Sequence, residues 1–278
     1  MIHFICALKS EAAPVLDYFA LKYLPGDRPF NIYLNKNTGI SLTVSGVGKL
    51  SAAAATSYTF ATLGGQQNEI WINLGMAGHR SHGIGEIFIC NKITDAASGR
   101  KWYPHLVLES DLQRNALVTL DRPSTDYGDE LFDMEASGFV STASRFSYLE
   151  FVQTLKFISD NADKPAHKFK PEYISSILKP HLDSIETIVT RLRAARDGLN
   201  SKVNTSQYYE DLLELCHFTD YQKKRLQQTL QRWCLLLPQQ SPLIACPDTL
   251  LSANKVIQTL EDQLDSVDLS LSSGIENV

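Results

Sequence analysis

The chain has 278 residues, 44% of them hydrophobic, which is enough to bury a substantial core in one or two domains. Its formal net charge of -5 gives no sign of a general nucleic-acid or membrane-surface binder. No apolar run reaches the roughly 18 residues of a membrane span, and the first residues lack the charged leader of a signal peptide, so we expect neither. The five cysteines form no CxxC pair and no zinc-like group with histidine, so we expect a cytoplasmic protein.

Predicted strands alternate with predicted helices through the first part of the chain. Apolar or alternating segments predict strands at residues 2–7, 30–34, 40–45, 69–74, 86–93, 116–120 and 151–158. Helices are predicted at residues 12–18, at residues 51–63 and from Ala136 onward, with Pro14 in the first turn of its helix. This alternation indicates an α/β domain with a largely parallel sheet.

Short polar or glycine-rich segments stand at the ends of predicted strands, at residues 9–11, 46–49, 75–78 and 159–160. Ligands of parallel α/β sheets bind at the carboxyl ends of the strands, so we expect these segments to surround one site. None of them is a specific motif by itself. The run Gly46-Val47-Gly48-Lys49, for example, lacks the third glycine of a dinucleotide fingerprint and the hydroxyl residue that follows the lysine of a P-loop.

The chain becomes helical after about residue 170. One helix is predicted at residues 171–199, followed by helices near residues 207–216, 219–236 and 250–264. Thr219 and Gln222 have the spacing of a capping box. The helix after them carries an apolar stripe beside basic residues, namely Leu226, Leu230 and Trp233 beside Lys223, Lys224, Arg225 and Arg232. We expect this helix to pack through its stripe, with a protein or nucleic-acid surface as the alternative.

Six segments within residues 1–197 follow one another in the order typical of a known family. They are Ala7-Leu8-Lys9-Ser10-Glu11, Ser45-Gly46-Val47-Gly48-Lys49, Asn73-Leu74-Gly75-Met76-Ala77-Gly78, Gly85-Glu86-Ile87, Asp133-Met134-Glu135-Ala136 and Ile158-Ser159-Asp160-Asn161-Ala162-Asp163. Together they resemble the nucleoside phosphorylase/nucleosidase superfamily, particularly 5'-methylthioadenosine/S-adenosylhomocysteine nucleosidase. The resemblance implies a three-layer α/β fold with a central mixed, largely parallel sheet flanked by helices. Residues 198–278 lie outside the pattern, and we expect them to form a helical C-terminal extension.

The resemblance also implies roles for four site residues. Asp160 matches the general acid that protonates purine N7 as the N-glycosidic bond breaks, and Glu11 matches the acid that orients or deprotonates the attacking water. Glu135, at the start of a predicted helix, matches the carboxylate that holds the ribose hydroxyls, and Met134 matches the residue packed against the sugar. Separate carboxylates suit this chemistry because the transition state is an oxocarbenium-like cation.

Three further positions of the family pattern concern the nucleophile and the sugar. Val47, Met76 and Lys156 are expected in this part of the pocket. Lys156 replaces the usual arginine, which keeps the charge but not the bidentate geometry, and Met76 replaces a small hydroxyl residue.

The base-binding part of the pattern departs most from the family. The segment between residues 93 and 133, which normally supplies the base-binding strand and lid, is shorter here. Our candidates for base binding are Ser159, Arg122 and Pro123, with Trp102 and Tyr103 as stacking aromatics.

The third of the six segments bears on the nucleophile. Related purine and uridine phosphorylases carry an arginine and a hydroxyl residue where this chain has Asn73 and Met76, and loss of both groups removes charge-assisted bonds to phosphate. We therefore expect hydrolysis of a purine nucleoside of the adenosine type, such as 5'-methylthioadenosine or S-adenosylhomocysteine. The alternatives are a phosphate-dependent nucleoside phosphorylase and a weakened nucleoside-binding or scaffold protein that acts through its helical tail.

The expected partners are a small-molecule nucleoside and a second copy of this chain. The resemblance implies a homodimer, because relatives complete their pockets across a dimer interface, and it implies neither a metal nor an organic cofactor. His79 and His82 flank Arg80 in a loop without the acidic neighbours of a metal site.

Overall fold

The computed structural model describes residues 1–273 apart from 64, 66–67, 105–110, 166–168, 202–204, 238 and 246–251. The chain divides into two compact units, Met1–Leu192 and Arg193–Val278. This division falls within the helix Leu182–Ser201, as does the domain boundary predicted after residue 197, which stays a prediction. Cys246 and the predicted start of the last helix at residue 250 lie outside the described residues. No helix among the described residues is long and apolar enough to cross a membrane.

The first unit is built on one sheet, which has ten strands in the described part of the chain. They are β1 (Ile2–Cys6), β2 (Lys22–Tyr23), β3 (Asn31–Asn35), β4 (Ile40–Val44), β5 (Ile70–His79), β6 (Ile87–Asp95), β7 (Lys101–Trp102), β8 (Gln113–Thr119), β9 (Leu131–Asp133) and β10 (Val152–Asn161). β10 pairs with both β6 and β5, so the pairings β10–β6–β8–β9–β5 return to their start, and β1, β4, β3 and β2 extend outward from β5. The long β10–β5 and β6–β8 pairs are parallel, whereas β3–β4 and β10–β6 are antiparallel.

Helices flank this sheet, and they include α1 (Lys9–Tyr18), α2 (Lys49–Thr62), α3 (Ala136–Ala143), α4 (Pro171–Leu178) and the first part of α5 (Leu182–Ser201). α2 and α3 pack against each other as well as against strands, and α1 packs against α4. The predicted α/β fold with a mixed central sheet is confirmed.

The single helix predicted at residues 171–199 is interrupted. Lys179–His181 forms a short 3-10 helix between α4 and α5. Pro180 explains the break, because proline lacks the N–H of the α-helical hydrogen-bond ladder and its ring opposes the preceding turn. The prediction of one continuous helix was therefore wrong.

The position of Pro14 also differs from the prediction. α1 begins at Lys9, so Pro14 lies in its second turn rather than its first. The proline leaves the carbonyl of Ser10 without its helical N–H partner. The hydroxyl of Ser175 in α4 donates to this carbonyl at 3.0 Å. A tertiary contact thus replaces the missing hydrogen bond, which the local sequence could not indicate.

Two strands run further than predicted. β5 extends to His79 and β10 to Asn161, although the sequence indicated strand ends at residues 74 and 158. The two strands pair in parallel over this extra length, with a register shift between Ile158 and Asp160. Residues 75–78 and 159–160 therefore lie within strands. Each strand supplies backbone hydrogen bonds to the other, and these keep residues 75–78 extended although the segment contains glycines.

The starts of α2 and α3 lie close together. Gly138 in α3 lies so near to α2 that an added Cβ would clash with the backbone carbonyl of Lys49. Phe139 and Val140 of α3 belong to the core cluster that also contains Trp71 of β5. Only a glycine at position 138 allows this close approach of the two backbones.

The second unit is helical in its described part, with α6 (Thr205–Leu215), α7 (Asp220–Leu236), α8 (Pro242–Ala245) and α9 (Ala253–Ser273). The predicted apolar stripe of α7 is buried in a core that it shares with α9. Thr219 caps α7 as predicted. Its hydroxyl accepts a hydrogen bond from the N–H of Gln222 at 3.3 Å, and its own N–H donates to Gln222 Oε1 at 2.8 Å.

Acidic residues of α9 pair with basic residues of α7. Arg225 forms an ion pair with Glu261, and Arg232 Nη1 lies 3.1 Å from Asp265 Oδ1. These pairs offset much of the positive charge that a nucleic-acid surface on α7 would use. A partner-binding role of the tail stays a prediction.

Candidate active site

A cavity of about 190 Å³ lies beside β5 and β10, next to the end of β1. The structure brings nine of the twelve predicted site residues to its walls: Glu11, Val47, Met76, Arg122, Pro123, Met134, Glu135, Ser159 and Asp160. They come from α1, the β4–α2 connection, β5, the segment after β8, the β9–α3 connection and β10. Residues far apart in the sequence thus share one cavity.

The other three predicted site residues do not line this cavity. Lys156 is buried in β10. Trp102 lies in β7, where its ring packs against the hydrophobic core and lies 5.0 Å from the guanidinium of Arg100. Tyr103 follows β7 and is half exposed. Neither aromatic residue is among the described residues that line the cavity, and stacking of their rings on a base stays a prediction.

Glu11 is fixed by backbone donors on two sides. Its Oε2 accepts a hydrogen bond from the N–H of Leu8 at 2.8 Å, and its Oε1 accepts one from the N–H of Met76 at 3.0 Å. Burial raises the pKa of the Glu11 carboxyl, although Lys156 and these N–H donors act in the opposite direction. A buried carboxylate whose pKa is raised is a stronger base than an exposed one and suits a proton acceptor.

Near Glu11, the structure contains an ion pair that the sequence did not predict. Lys156 Nζ lies 2.9 Å from Asp133 Oδ2, and both side chains are buried. Burial lowers the pKa of Lys156, but the charges of Asp133 and Glu135 outweigh it and raise the pKa overall, so the ammonium stays charged. The only signal in the sequence was that Asp133 stands beside Met134 and Glu135.

Asp133 also bonds backbone N–H groups at the start of α3. Its Oδ2 accepts hydrogen bonds from the N–H groups of Glu135 and Ala136 at 3.2 and 2.8 Å. Its Oδ1 accepts from the hydroxyl of Thr119 at 2.7 Å, which ties β9 to β8. The Asp133 carboxylate thus satisfies the first N–H group of α3, that of Ala136, and its bond to the N–H of Glu135 helps to set the direction in which Glu135 leaves the backbone.

Glu135 links the starts of α2 and α3. It precedes α3, and its Oε1 accepts a hydrogen bond from the N–H of Gly48, directly before α2, at 2.9 Å. Burial, together with the charge of Asp133, outweighs the opposing effect of Lys156 and raises the pKa of Glu135 to about 7. The carboxyl therefore changes its protonation near neutral pH, at the wall of the cavity.

Asp160 lies in β10 just after the register shift. Its Oδ2 accepts a hydrogen bond from the hydroxyl of Tyr127 at 2.6 Å, and its Oδ1 is contacted by the hydroxyl of Ser159. Tyr127 was not predicted as a site residue, because it belongs to a polar loop whose sequence carries no period or motif.

Solved structures with this architecture include nucleosidases. The chain superposes on an MTA/SAH nucleosidase with a TM-score of 0.55 and 17% identity, over 69% of this chain and 95% of that chain. For the 5'-methylthioadenosine nucleosidase of Arabidopsis thaliana the TM-score is 0.52 and the identity 20%, over 71% and 96% of the two chains. For the futalosine hydrolase of Helicobacter pylori the values are 0.55 and 15%, over 68% and 97%. The chain has the fold of these nucleosidases.

These identities establish a shared fold rather than a shared substrate. They confirm the fold that the resemblance implied. The covered share of the chain corresponds in size to the first unit, Met1–Leu192. No protein-family model and no curated protein matches the chain.

Within this nucleosidase fold, the loop between β8 and β9 forms one wall of the cavity. Arg122 and Pro123, our candidates for base binding, belong to that wall. Lys49 of α2 holds the start of the loop, because its ammonium lies 2.7 Å from Asp121 Oδ1 and also 2.7 Å from Asp95 Oδ1. Lys49 thus connects this wall to the start of α2, where the N–H of Gly48 donates to Glu135.

Of the two histidines at positions 79 and 82, His79 bonds the backbone through its ring, whereas the ring of His82 contacts the side chains of Glu86 and Asn115. His79 Nδ1 accepts hydrogen bonds from the N–H groups of Ser81 and His82, and its Nε2–H donates to the carbonyl of Asp129 at 3.1 Å. Over the part of the chain that the structure describes, no three His, Cys, Asp or Glu side chains are arranged to hold a metal ion.

Proposed function

We propose that this protein is a purine nucleosidase that hydrolyses an adenosine-type nucleoside, such as 5'-methylthioadenosine or S-adenosylhomocysteine. One observation carries the proposal: the buried carboxyl groups of Glu11, Glu135 and Asp160 meet at one cavity in a chain with a nucleosidase fold. Burying an ionisable carboxyl group costs free energy, so three buried carboxyl groups around one cavity favour a chemical role.

In the proposed reaction, Asp160 and Glu11 act at the two ends of the bond that breaks. The C1'–N9 bond breaks, its electron pair moves to the purine, and N7 takes the proton of the Asp160 carboxyl group. Water adds its oxygen to C1' and gives a proton to Glu11. The products are the free base and the sugar, and the two carboxyl groups exchange protons with solvent before the next cycle.

The sugar would lie between these two groups. Glu135, when ionised, accepts hydrogen bonds from the ribose hydroxyls, and Met134, Val47 and Met76 offer apolar contacts to the ring and its 5' substituent. Ser159, Arg122 and Pro123 would border the base. This arrangement is supported by the common cavity of these residues and by the order of their family segments.

The charge of the cavity favours water over phosphate as the nucleophile. Four acidic residues line it against one arginine among the described residues, namely Asp133, Glu11, Glu135 and Asp160 against Arg122. A phosphate dianion needs charge-assisted donors, and Arg122 is the one lysine or arginine among the described residues that line the cavity. Asn73, where phosphorylases carry arginine, is buried and donates to the carbonyl of Ile5 at 3.0 Å.

The test is release of free base from a panel of nucleosides, measured with and without phosphate. The panel contains 5'-methylthioadenosine, S-adenosylhomocysteine, inosine and futalosine. We expect release without phosphate, and an Asp160→Asn variant should lose about 10²- to 10⁴-fold in kcat because the general acid is gone. Asp163→Asn, which alters an exposed acid three residues further on, is the matched control.

Other outcomes would favour the alternatives. Release that requires phosphate would indicate a phosphorylase. Tight nucleoside binding without release from any member of the panel would indicate a binding or scaffold protein. The homodimer remains a proposal, and it is tested separately by sedimentation of the full chain.

A further inference from the structure

Tyr127 contacts the proposed leaving-group acid from a loop that has no counterpart in the predicted motifs. Its side chain is buried, and its hydroxyl donates to Asp160 Oδ2 at 2.6 Å. The Ser159 hydroxyl occupies the other oxygen of the same carboxyl group. Both oxygens of Asp160 therefore have a hydroxyl neighbour, and the plane of the carboxyl group is fixed relative to β10.

The backbone of β5 makes room for this contact. At Gly78, an added Cβ would lie 2.7 Å from Tyr127 Cε1 and 2.8 Å from Asp160 Oδ2, both closer than real Cβ contacts. A residue larger than glycine would push the ring and the carboxyl group apart. The Tyr127–Asp160 contact thus depends on the absence of a side chain at Gly78 of β5, the strand that pairs with β10.

The loop that carries Tyr127 is held on the same side. Arg80, directly after β5, donates from Nε to the carbonyl of Tyr127 at 3.3 Å. Its Nη1 lies 2.9 Å from Asp129 Oδ1, and the carbonyl of Asp129 also accepts from His79 Nε2. Because several polar contacts fix the backbone around Tyr127, its hydroxyl is directed at Asp160 before any ligand binds.

We propose that Tyr127 is a positioning residue for the leaving-group acid Asp160, an inference that rests on the proposed function. As Asp160 gives its proton to purine N7, negative charge develops on its carboxyl group. A hydrogen bond from the Tyr127 hydroxyl becomes charge-assisted at that moment and is stronger in the transition state than in the ground state. Tyr127 neither gives nor takes a proton, so it promotes base departure through Asp160.

The test compares two substrates in a Tyr127→Phe variant of the full chain. Hydrolysis of a nucleoside needs a protonated base, whereas 4-nitrophenyl β-D-ribofuranoside releases a phenolate that leaves without protonation. We expect kcat for the nucleoside to fall about 10- to 100-fold with KM nearly unchanged, since one charge-assisted hydrogen bond is lost. Hydrolysis of the nitrophenyl riboside should stay within about twofold of wild type.

Two further variants separate positioning from folding. Tyr148→Phe removes the hydroxyl of a half-buried tyrosine, one that is not among the described cavity residues, and should leave both activities unchanged. In an Asp160→Asn background, Tyr127→Phe should cause no additional loss, because a residue that acts through Asp160 has nothing left to act on.

The outcomes distinguish this inference from the proposed function. Equal losses on both substrates, or an additive loss in the Asp160→Asn background, overturn the positioning role of Tyr127 and leave the nucleosidase proposal intact. An unchanged kcat for the nucleoside in Tyr127→Phe overturns it as well. If the wild-type protein releases base from no nucleoside, the proposed function fails, and the inference fails with it.

Discussion

Lys156 Nζ lies 2.9 Å from Asp133 Oδ2, and the two side chains are 1% and 0% exposed. The same Asp133 oxygen accepts hydrogen bonds from the first N–H groups of the segment that carries Glu135 and α3. This ion pair therefore connects β10, which carries Asp160, to the start of α3, which is preceded by Glu135. The ion pair thus connects the strand of Asp160, the proposed acid, with Glu135, the carboxylate proposed to bind ribose.

We expect Lys156→Met to lower the free energy of unfolding by about 3–5 kcal/mol, because it leaves the buried Asp133 carboxylate without its partner. Lys92→Met is the control. The Lys92–Glu130 pair has a similar distance of 3.0 Å, but its side chains are 33% and 38% exposed, so its loss should cost at most about 1 kcal/mol. Urea unfolding measures both, and equal small effects would contradict a structural role for the buried pair.

Nucleoside binding should strengthen as the pH rises through about 7, where Glu135 loses its proton and becomes a better acceptor for ribose hydroxyls. The measurement is the dissociation constant of a non-hydrolysable nucleoside analogue, since binding does not involve activation of water. Glu135→Gln should bind the analogue weakly and lose the step near pH 7. A step that persists in this variant would assign the titration to another group.

Glu135 should also shape the pH dependence of stability. Its pKa is higher in the folded protein than the ordinary 4.5, so the folded state holds the proton more tightly. The contribution of Glu135 to the free energy of unfolding is greatest below pH 4.5 and is lost as the pH rises to about 7. Glutamine does not ionise, so we expect Glu135→Gln to become more stable relative to wild type as the pH rises over this interval. Urea unfolding at several pH values measures this change.

Asp95 should have the opposite effect on the pH dependence of stability. Burial raises the pKa of its carboxyl, but hydrogen bonds from Lys49 and Ser98 outweigh it and lower the pKa to about 2. This contribution is present above pH 3.8, the ordinary value, and is lost as the pH falls through about 2. Asp95→Asn should therefore lower the free energy of unfolding at pH 7 by about 2 kcal/mol and reduce the acid sensitivity.

Asp121 offers a matched control for Asp95. Its Oδ1 also lies 2.7 Å from Lys49 Nζ, but its side chain is 57% exposed. Asp121→Asn should change the free energy of unfolding by less than about 1 kcal/mol, because solvent screens an exposed pair. If both variants lose the same stability, burial does not govern the strength of this network.

Gly78→Ala should reduce nucleosidase activity by separating Tyr127 from Asp160, since the new methyl group would lie within 2.8 Å of both side chains. We expect a fall in kcat of about tenfold or more, together with a lower thermal unfolding midpoint. The control is Gly198→Ala in α5, where nothing lies near the added Cβ and the change to alanine favours the helix. Full activity of Gly78→Ala would contradict the tight packing of this pair.

The local pattern of the sequence predicted the order of most strands and helices because hydrophobic period, glycines and caps act over a few residues. The capping box of Thr219 and the buried stripe of α7 are examples. Local pattern was misleading where a distant segment supplied the missing partner. Glycines suggested a turn at residues 75–78, but parallel pairing with β10 keeps this stretch in β5.

For the candidate site, the sequence by itself determined which acids occupy the family segments, Glu11, Glu135 and Asp160 among them. Only the tertiary structure showed that Asp133 faces Lys156, that Tyr127 bonds Asp160 and that Trp102 packs against the hydrophobic core. The physical reason is that these contacts join residues from different strands and loops. Their energies depend on burial and distance, which no period or motif along the chain encodes.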